Sequence, residues 1–205
     1  MRAARLLVVL VALLMTAPAA RASVSFTVVL DALVQESSAA CVVTPVEAKS
    51  VWENGRIYTY TRVRVERTFA GSVAVGSEVW VQTMGGTVGD IGQLVDGEAV
   101  LNPGKTSLLF LKSAPSTFSG GYVVTARGQG QFPVVQNPST HALTLMRNAY
   151  AGALLAPNPA TVAALRARAP TAAVAVMPAA DVLDGKSLPD AAAEIARAWS
   201  RTHAP

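Results

Sequence analysis

Between Glu78 and Lys112 the chain reads EVWVQTMGGTVGDIGQLVDGEAVLNPGKTSLLFLK, and this stretch limits the fold more than any other. Its first seven residues alternate, with Val79, Val81 and Thr83 opposite Trp80, Gln82 and Met84, which is the period of a half-buried strand. Gly85-Gly86 ends that strand and a glycine-rich excursion follows through Gly89 and Gly92. Gly97 to Leu101 offers a further short segment before Asn102-Pro103-Gly104 turns the chain. Thr106 to Lys112 is then almost continuously apolar, as expected of a strand buried on both faces of a small closed barrel. Such a strand needs neighbours at its edges and cover on its outer side.

The neighbours lie upstream. Cys41 to Trp52 and Ile57 to Arg67 are rich in β-branched residues and meet across Glu53-Asn54-Gly55-Arg56. Asn-Gly between two such runs signals a hairpin, because a type I′ turn needs positive φ at both central residues. Pro45 has no amide donor, so its strand must lie at an edge or carry a bulge there. In the second arm Ile57, Thr59, Thr61, Val63 and Val65 share one face, and Tyr58, Tyr60, Arg62, Arg64 and Glu66 share the other.

Before the hairpin, Thr27 to Ser38 spaces Val29, Leu30, Leu33 and Val34 as a short amphipathic helix, with Thr27 as the expected N-cap. After the apolar strand, Ser113 to Gly121 reads as a loop and Tyr122 to Arg127 as a strand. Gly128-Gln129-Gly130 leads into Phe132 to Val135, and Ala142 to Arg147 alternates as a further strand. An Ala- and Pro-rich stretch holds one helix at Thr161 to Ala169. The last helix, residues 187–202, has Ser187 as cap, Pro189 in its first turn and Asp190 three residues beyond the cap. Leu188, Ala192, Ile195 and Trp199 make its apolar stripe, which is expected to pack on the barrel.

The first 22 residues read as a signal peptide. Arg2 and Arg5 precede an apolar run from Leu6 to Met15, and Ala20-Arg21-Ala22 gives a small-x-small cleavage pattern. The run is shorter than the roughly 20 residues a membrane span needs. Export to the periplasm or beyond is the expectation, with a mature chain from Ser23 and no membrane span. Residues 23–136 then form the N-terminal helix plus barrel, and residues 137–205 an extension ending in the amphipathic helix.

Loss of Arg2, Arg5 and Arg21 takes the 17 basic residues to 14 against 13 acidic ones, so the net charge falls from +4 to +1. A nearly neutral chain gives no support to nucleic-acid binding. With 51% hydrophobic and 15% charged residues, one sizeable core in one domain is expected. The single cysteine, Cys41, has no partner for an internal disulfide and reads as a buried apolar thiol. A lipid-anchored Cys41 is disfavoured because Asp31 and Glu36 interrupt the apolar character upstream.

Several chemistries fail on spacing. Gly104-Lys105-Thr106 resembles the end of a phosphate-binding loop, but Ala99 stands where that loop needs glycine and no helix follows. His141 and His203 with one cysteine make no zinc set. Asp90, Asp96 and Glu98 match no EF-hand spacing. No G-x-S-x-G elbow exists, and carboxylates drawn from the acidic loop around Asp90 and Asp96 are the one opening for a hydrolase. No catalytic residue, metal or cofactor is therefore assigned. The better candidate is a surface: Tyr58, Tyr60, Arg62 and Arg64 on one strand with Trp80 on another combine aromatic planes and guanidinium donors, residue types enriched in binding hot spots. The bland alternative is that the rings cover the barrel or lie under the last helix, with the arginines paired to Glu47, Glu66 or Glu78.

With these strands placed, the stretch from Cys41 to Phe132 resembles the netrin-like module, the OB-type barrel shared with tissue inhibitors of metalloproteinases. The likeness rests on the long first hairpin, the Phe69-Ala70-Gly71 turn, the strand Val79 to Thr83, the Leu101 to Phe110 turn and strand, and the strand after Gly120-Gly121. The chain is also similar to exported bacterial proteins carrying G-D-I-G-Q and R-G-Q-G-x-F phrases, here Gly89 to Gln93 and Arg127 to Phe132. The resemblance implies a mainly β fold, a small five-stranded OB-like Greek-key barrel with flanking helices, which binds ligands more often than it catalyses. Inhibition by a chelating N-terminal cysteine does not carry over, since Cys41 lies well inside the mature chain. The expectation is a non-catalytic binding module whose partner is a protein, an exported protease first, or else a cell-envelope glycan.

Overall fold

The computed structural model describes residues 24–114, 121–168 and 177–203. The segment read above as a signal peptide, most of the Ser113–Gly121 loop and part of the Ala- and Pro-rich stretch lie outside them. In chain order the elements are β1 (Val24–Phe26), α1 (Leu30–Gln35), β2 (Ala39–Glu53), β3 (Arg56–Gly71), β4 (Glu78–Met84), β5 (Gly86–Val88), β6 (Ile91–Gln93), β7 (Ser107–Ser113) and β8 (Tyr122–Val124). A 3₁₀ turn at Arg127–Gly130 precedes β9 (Gln131–Gln136), β10 (Leu143–Leu145), β11 (Ala153–Leu155), α2 (Pro159–Arg168), α3 (Ala179–Leu183) and α4 (Leu188–Thr202).

The expected hairpin is the spine of the molecule. Asn54 and Gly55 both take positive φ, +50° and +77°, as a type I′ turn demands. The ribbon runs from Glu53 opposite Arg56 back to Ala39 opposite Gly71, with a register shift between Pro45 and Glu47. Pro45 thus sits at a bulge, which bends β2 so that its two halves serve different neighbours. Its first half, Ala39–Val43, pairs with β7.

Strands β7, β2, β3, β4 and β8 close into a five-stranded barrel. Closure comes from β8, which runs parallel to β4 at Val81 and Gln82 and antiparallel to β7 at Leu111 to Ser113. In barrel order the strands are the first, second, third, fifth and fourth of the five, which is the OB arrangement. The other end of β7, Ser107–Leu109, pairs with β9, and β10 extends that flap.

The apolar run of β7 faces two cores. Leu109 and Leu111 join Cys41, Val43, Val63, Val65 and Val81 inside the barrel, plugged by Ala99 and Leu101. Leu108 and Phe110 join Val42 and Phe132 outside it, against Leu30, Leu33 and Val34 of α1 and Ile195 of α4. Phe110 and Phe132 meet edge to face with centroids 6.1 Å apart. Burial of each such side chain contributes roughly 1.5–3 kcal/mol.

The last helix forms as expected. The Ser187 hydroxyl accepts from the Asp190 amide at 3.3 Å and donates to its carboxylate at 2.6 Å. Its buried stripe is Leu188, Ala191, Ile195 and Ala198, so the expected Ala192 and Trp199 fall at the margin. Three other expectations are corrected. Helix α1 starts at Leu30 behind Val29, with no side-chain cap, because the Thr27 hydroxyl donates instead to the Leu155 carbonyl at 2.5 Å. Strand β8 stops at Val124, since Ala126 and Arg127 turn left-handed at φ +54° and +57°. Gly97 to Leu101 forms no strand, while the excursion before it folds as the β5–β6 hairpin. Among the described residues no helix is long and apolar enough to cross a membrane.

Candidate functional site

Register brings the sequence-predicted surface together. Across the outer face of β2, β3 and β4, Tyr58 lies between Val51 and Met84, Tyr60 between Lys49 and Gln82, and Arg62 between Glu47 and Trp80. Arg64 lies opposite Glu78 at the end of the face. Tyr58, Tyr60, Arg62 and Trp80 are half-buried and Arg64 is exposed. None of them belongs to the hydrophobic cluster under α4, to which β3 contributes Phe69 and Ala70 among the described residues.

The polar groups of this face bond to one another. Arg62 donates to Glu78 at 2.6 Å and to Glu47 at 2.9 Å, and Arg64 donates to Glu66 at 3.2 Å. The Tyr60 hydroxyl donates to the Glu53 carboxylate at 2.9 Å and accepts from Gln82 at 2.9 Å. The arginines are therefore held in place with their charge balanced, as the bland alternative supposed, while the rings stay uncovered by α4. A partner here meets a mosaic of both signs with fixed geometry. Any gain it makes on the arginines is set against the carboxylates they already hold.

The same strands present a different surface inward. Along β3 the inward residues change from Val65 and Val63 to Thr61 and Thr59, and along β4 from Val81 to Thr83. At this polar end a cavity of about 560 Å³ opens between the strands and the Gly85–Pro103 segment. Gly85 and Gly86, at φ +94° and +130°, let that segment lie against the ribbon; a Cβ on Gly86 would collide with the hydroxyls of Ser50 and Thr59. Sequence alternation marked these threonines as inward-facing. The cavity itself has no signature in the sequence, because its far wall comes from a segment without periodicity.

The acidic loop does not assemble a carboxylate pair. Asp90 is exposed at the β5–β6 turn, Asp96 is exposed further on, and neither lines the cavity. Glu98 is the carboxylate on its wall, buried, accepting from Arg127 at 3.1 Å and from the Ala99 amide at 3.1 Å. Among the described residues no three His, Cys, Asp or Glu side chains converge as a metal set.

The two glycine-rich phrases act as ties. Gln93 accepts from the Ile57 amide at 2.7 Å. Gln129 accepts from the Val28 amide at 2.8 Å and donates to the Phe26 carbonyl at 3.0 Å, while Gln131 accepts from and donates to the Val100 backbone at 2.9 and 2.6 Å. Cys41 is wholly buried, and burial pushes its thiol up, with the Thr68 hydroxyl acting in the opposite sense. That is an inert core thiol. No protein-family model and no curated protein matches the chain.

Proposed function

We propose that this chain is an exported, non-catalytic binding module of netrin-like type that engages a protein partner through the outer face of β3 and β4. One observation carries the reading: Tyr58, Tyr60, Arg62, Arg64 and Trp80 lie side by side on the second and third strands of an OB barrel, on a face left open by the described helices. In OB barrels that face is where ligands are held. Held arginines and tyrosines lose little side-chain freedom on binding, which lowers the entropic cost of association.

A protein is favoured over a cell-envelope glycan because Glu47, Glu53, Glu66 and Glu78 alternate with Lys49, Arg62 and Arg64. Such a mosaic discriminates between partners by charge placement, which neutral sugar hydroxyls do not offer. An exported protease is the first partner to test, given the netrin-like resemblance. The buried Cys41 rules out inhibition by a chelating N-terminal cysteine, so contact would be made through the strand face.

The test is capture from the exported proteome by the chain Ser23–Pro205, beside a Tyr60→Ala/Arg62→Ala variant shown to be folded. Saturable capture of one protein by the native chain, lost in the variant, supports the reading. Equal capture by both overturns this face and returns attention to glycans and to the loop around Asp90 and Asp96.

A further inference from the structure

The inner side of β3 and β4 poses a question that the outer face does not answer. Threonine and valine have nearly the same shape, and a barrel interior filled with valine would pack without a polar group to satisfy. This barrel does so at one end, with Val63, Val65 and Val81. At the other end the positions carry Thr59, Thr61 and Thr83, next to the cavity of about 560 Å³.

The three hydroxyls differ in what they hold. Thr59 donates to the Gly85 carbonyl at 2.6 Å and shares a hydrogen bond with Ser50 at 2.9 Å. Thr83 reaches only the Thr59 carbonyl, at 3.5 Å. The Thr61 hydroxyl is completely buried and meets no hydrogen-bond partner among the described residues. An orphaned hydroxyl of this kind destabilises the fold unless something in the cavity bonds to it.

The rest of the wall sets the ligand's chemistry. Among the described residues it carries no lysine, arginine or histidine, and one carboxylate, Glu98, which is already paired with Arg127. An anion would find no counter-charge there. Gln93 and Asn102 also line the wall, and Ala48, Val95 and Leu101 add apolar residues to it. The volume falls within the roughly 300–1,000 Å³ of small-molecule sites.

We propose that the threonine-lined mouth of the barrel is a second binding site, distinct from the outer face, for a small uncharged molecule that offers a hydroxyl or carboxamide group to Thr61 and Thr83. A single sugar ring and a capped amino acid share that chemistry. Leu94, 93% exposed, lies at the rim after the β5–β6 hairpin.

The experiment is a titration of the isotope-labelled chain Ser23–Pro205, followed by NMR at the threonine methyls and backbone amides. The probes are N-acetylglucosamine, N-acetylalanine amide and, as an anionic control, glucuronate. The expected result is saturable shifts at Thr59, Thr61 and Thr83 with one or both neutral probes and none with glucuronate; the probe that saturates at lower concentration identifies the source. Thr61→Val should weaken that binding about tenfold, the loss of one hydrogen bond, while its unfolding midpoint stays equal or rises. Thr61→Ser should keep the binding. Shifts confined to Tyr58 and Tyr60, equal binding of glucuronate, binding unchanged in Thr61→Val, or no saturable shift with either neutral probe because the mouth holds only water would each overturn the proposal.

Discussion

Two arginines of this chain make similar contacts, but the carboxylates they hold differ in burial, and that decides what each pair is worth. Arg201 of α4 grips Asp31 of α1 with two hydrogen bonds, at 2.6 and 3.2 Å, and that carboxylate is 2% exposed. The hydrogen bond to Asp31 pushes the Arg201 guanidinium up despite its burial, so it stays charged at any ordinary pH. Removing it strands a charge in the interior, and Arg201→Ala should destabilise the fold by about 3 kcal/mol. Arg62 holds Glu47 and Glu78, but those carboxylates reach water, and Arg62→Ala should lose less than about 1 kcal/mol. Urea unfolding of both variants checks the contrast; equal losses would show that the Asp31 pair carries no special weight.

At the scale of elements, the two glycine turns separate conformation from space. Gly55 needs positive φ but has open room for a side chain, so Gly55→Ala should destabilise by about 1 kcal/mol. Gly86 needs positive φ and has no room, since its Cβ would strike Ser50 and Thr59, and Gly86→Ala should destabilise by roughly 2–3 kcal/mol. Thermal unfolding ranks the two. The difference mirrors what the sequence discloses. Asn54-Gly55, the alternation of β3, the Pro45 bulge and the Ser187 cap are local signals that act on their neighbours, and each was legible. Thr27 does not cap α1 because its hydroxyl is claimed by Leu155, 128 residues away, which no local signal shows. Strand β8 is shorter than its composition implies because nothing in Ala126 or Arg127 announces a left-handed turn. The pairing of Arg62 with carboxylates from both flanking strands depends on register across a bulge, so composition could name the candidates but not join them.

For the whole molecule, the barrel wall is a partition between two interiors, and the outer one is completed by helices from opposite ends of the described chain. Deleting residues 187–205 would uncover Leu30, Leu33, Phe110 and Phe132 together. With several side chains each contributing roughly 1.5–3 kcal/mol against a total of about 5–15, the truncated chain should show no cooperative unfolding transition. Retention of a sharp transition would mean that the barrel folds alone. The Asp31–Arg201 clasp joins positions 170 residues apart, and that separation sets a timetable for synthesis. As the chain leaves the ribosome, the inner core can gather once Val124 has emerged, but α1 must wait for α4 to arrive. Until the last turn of that helix is made, the nascent protein stays open on its outer side, with Leu30, Leu33, Phe110 and Phe132 still short of their cover.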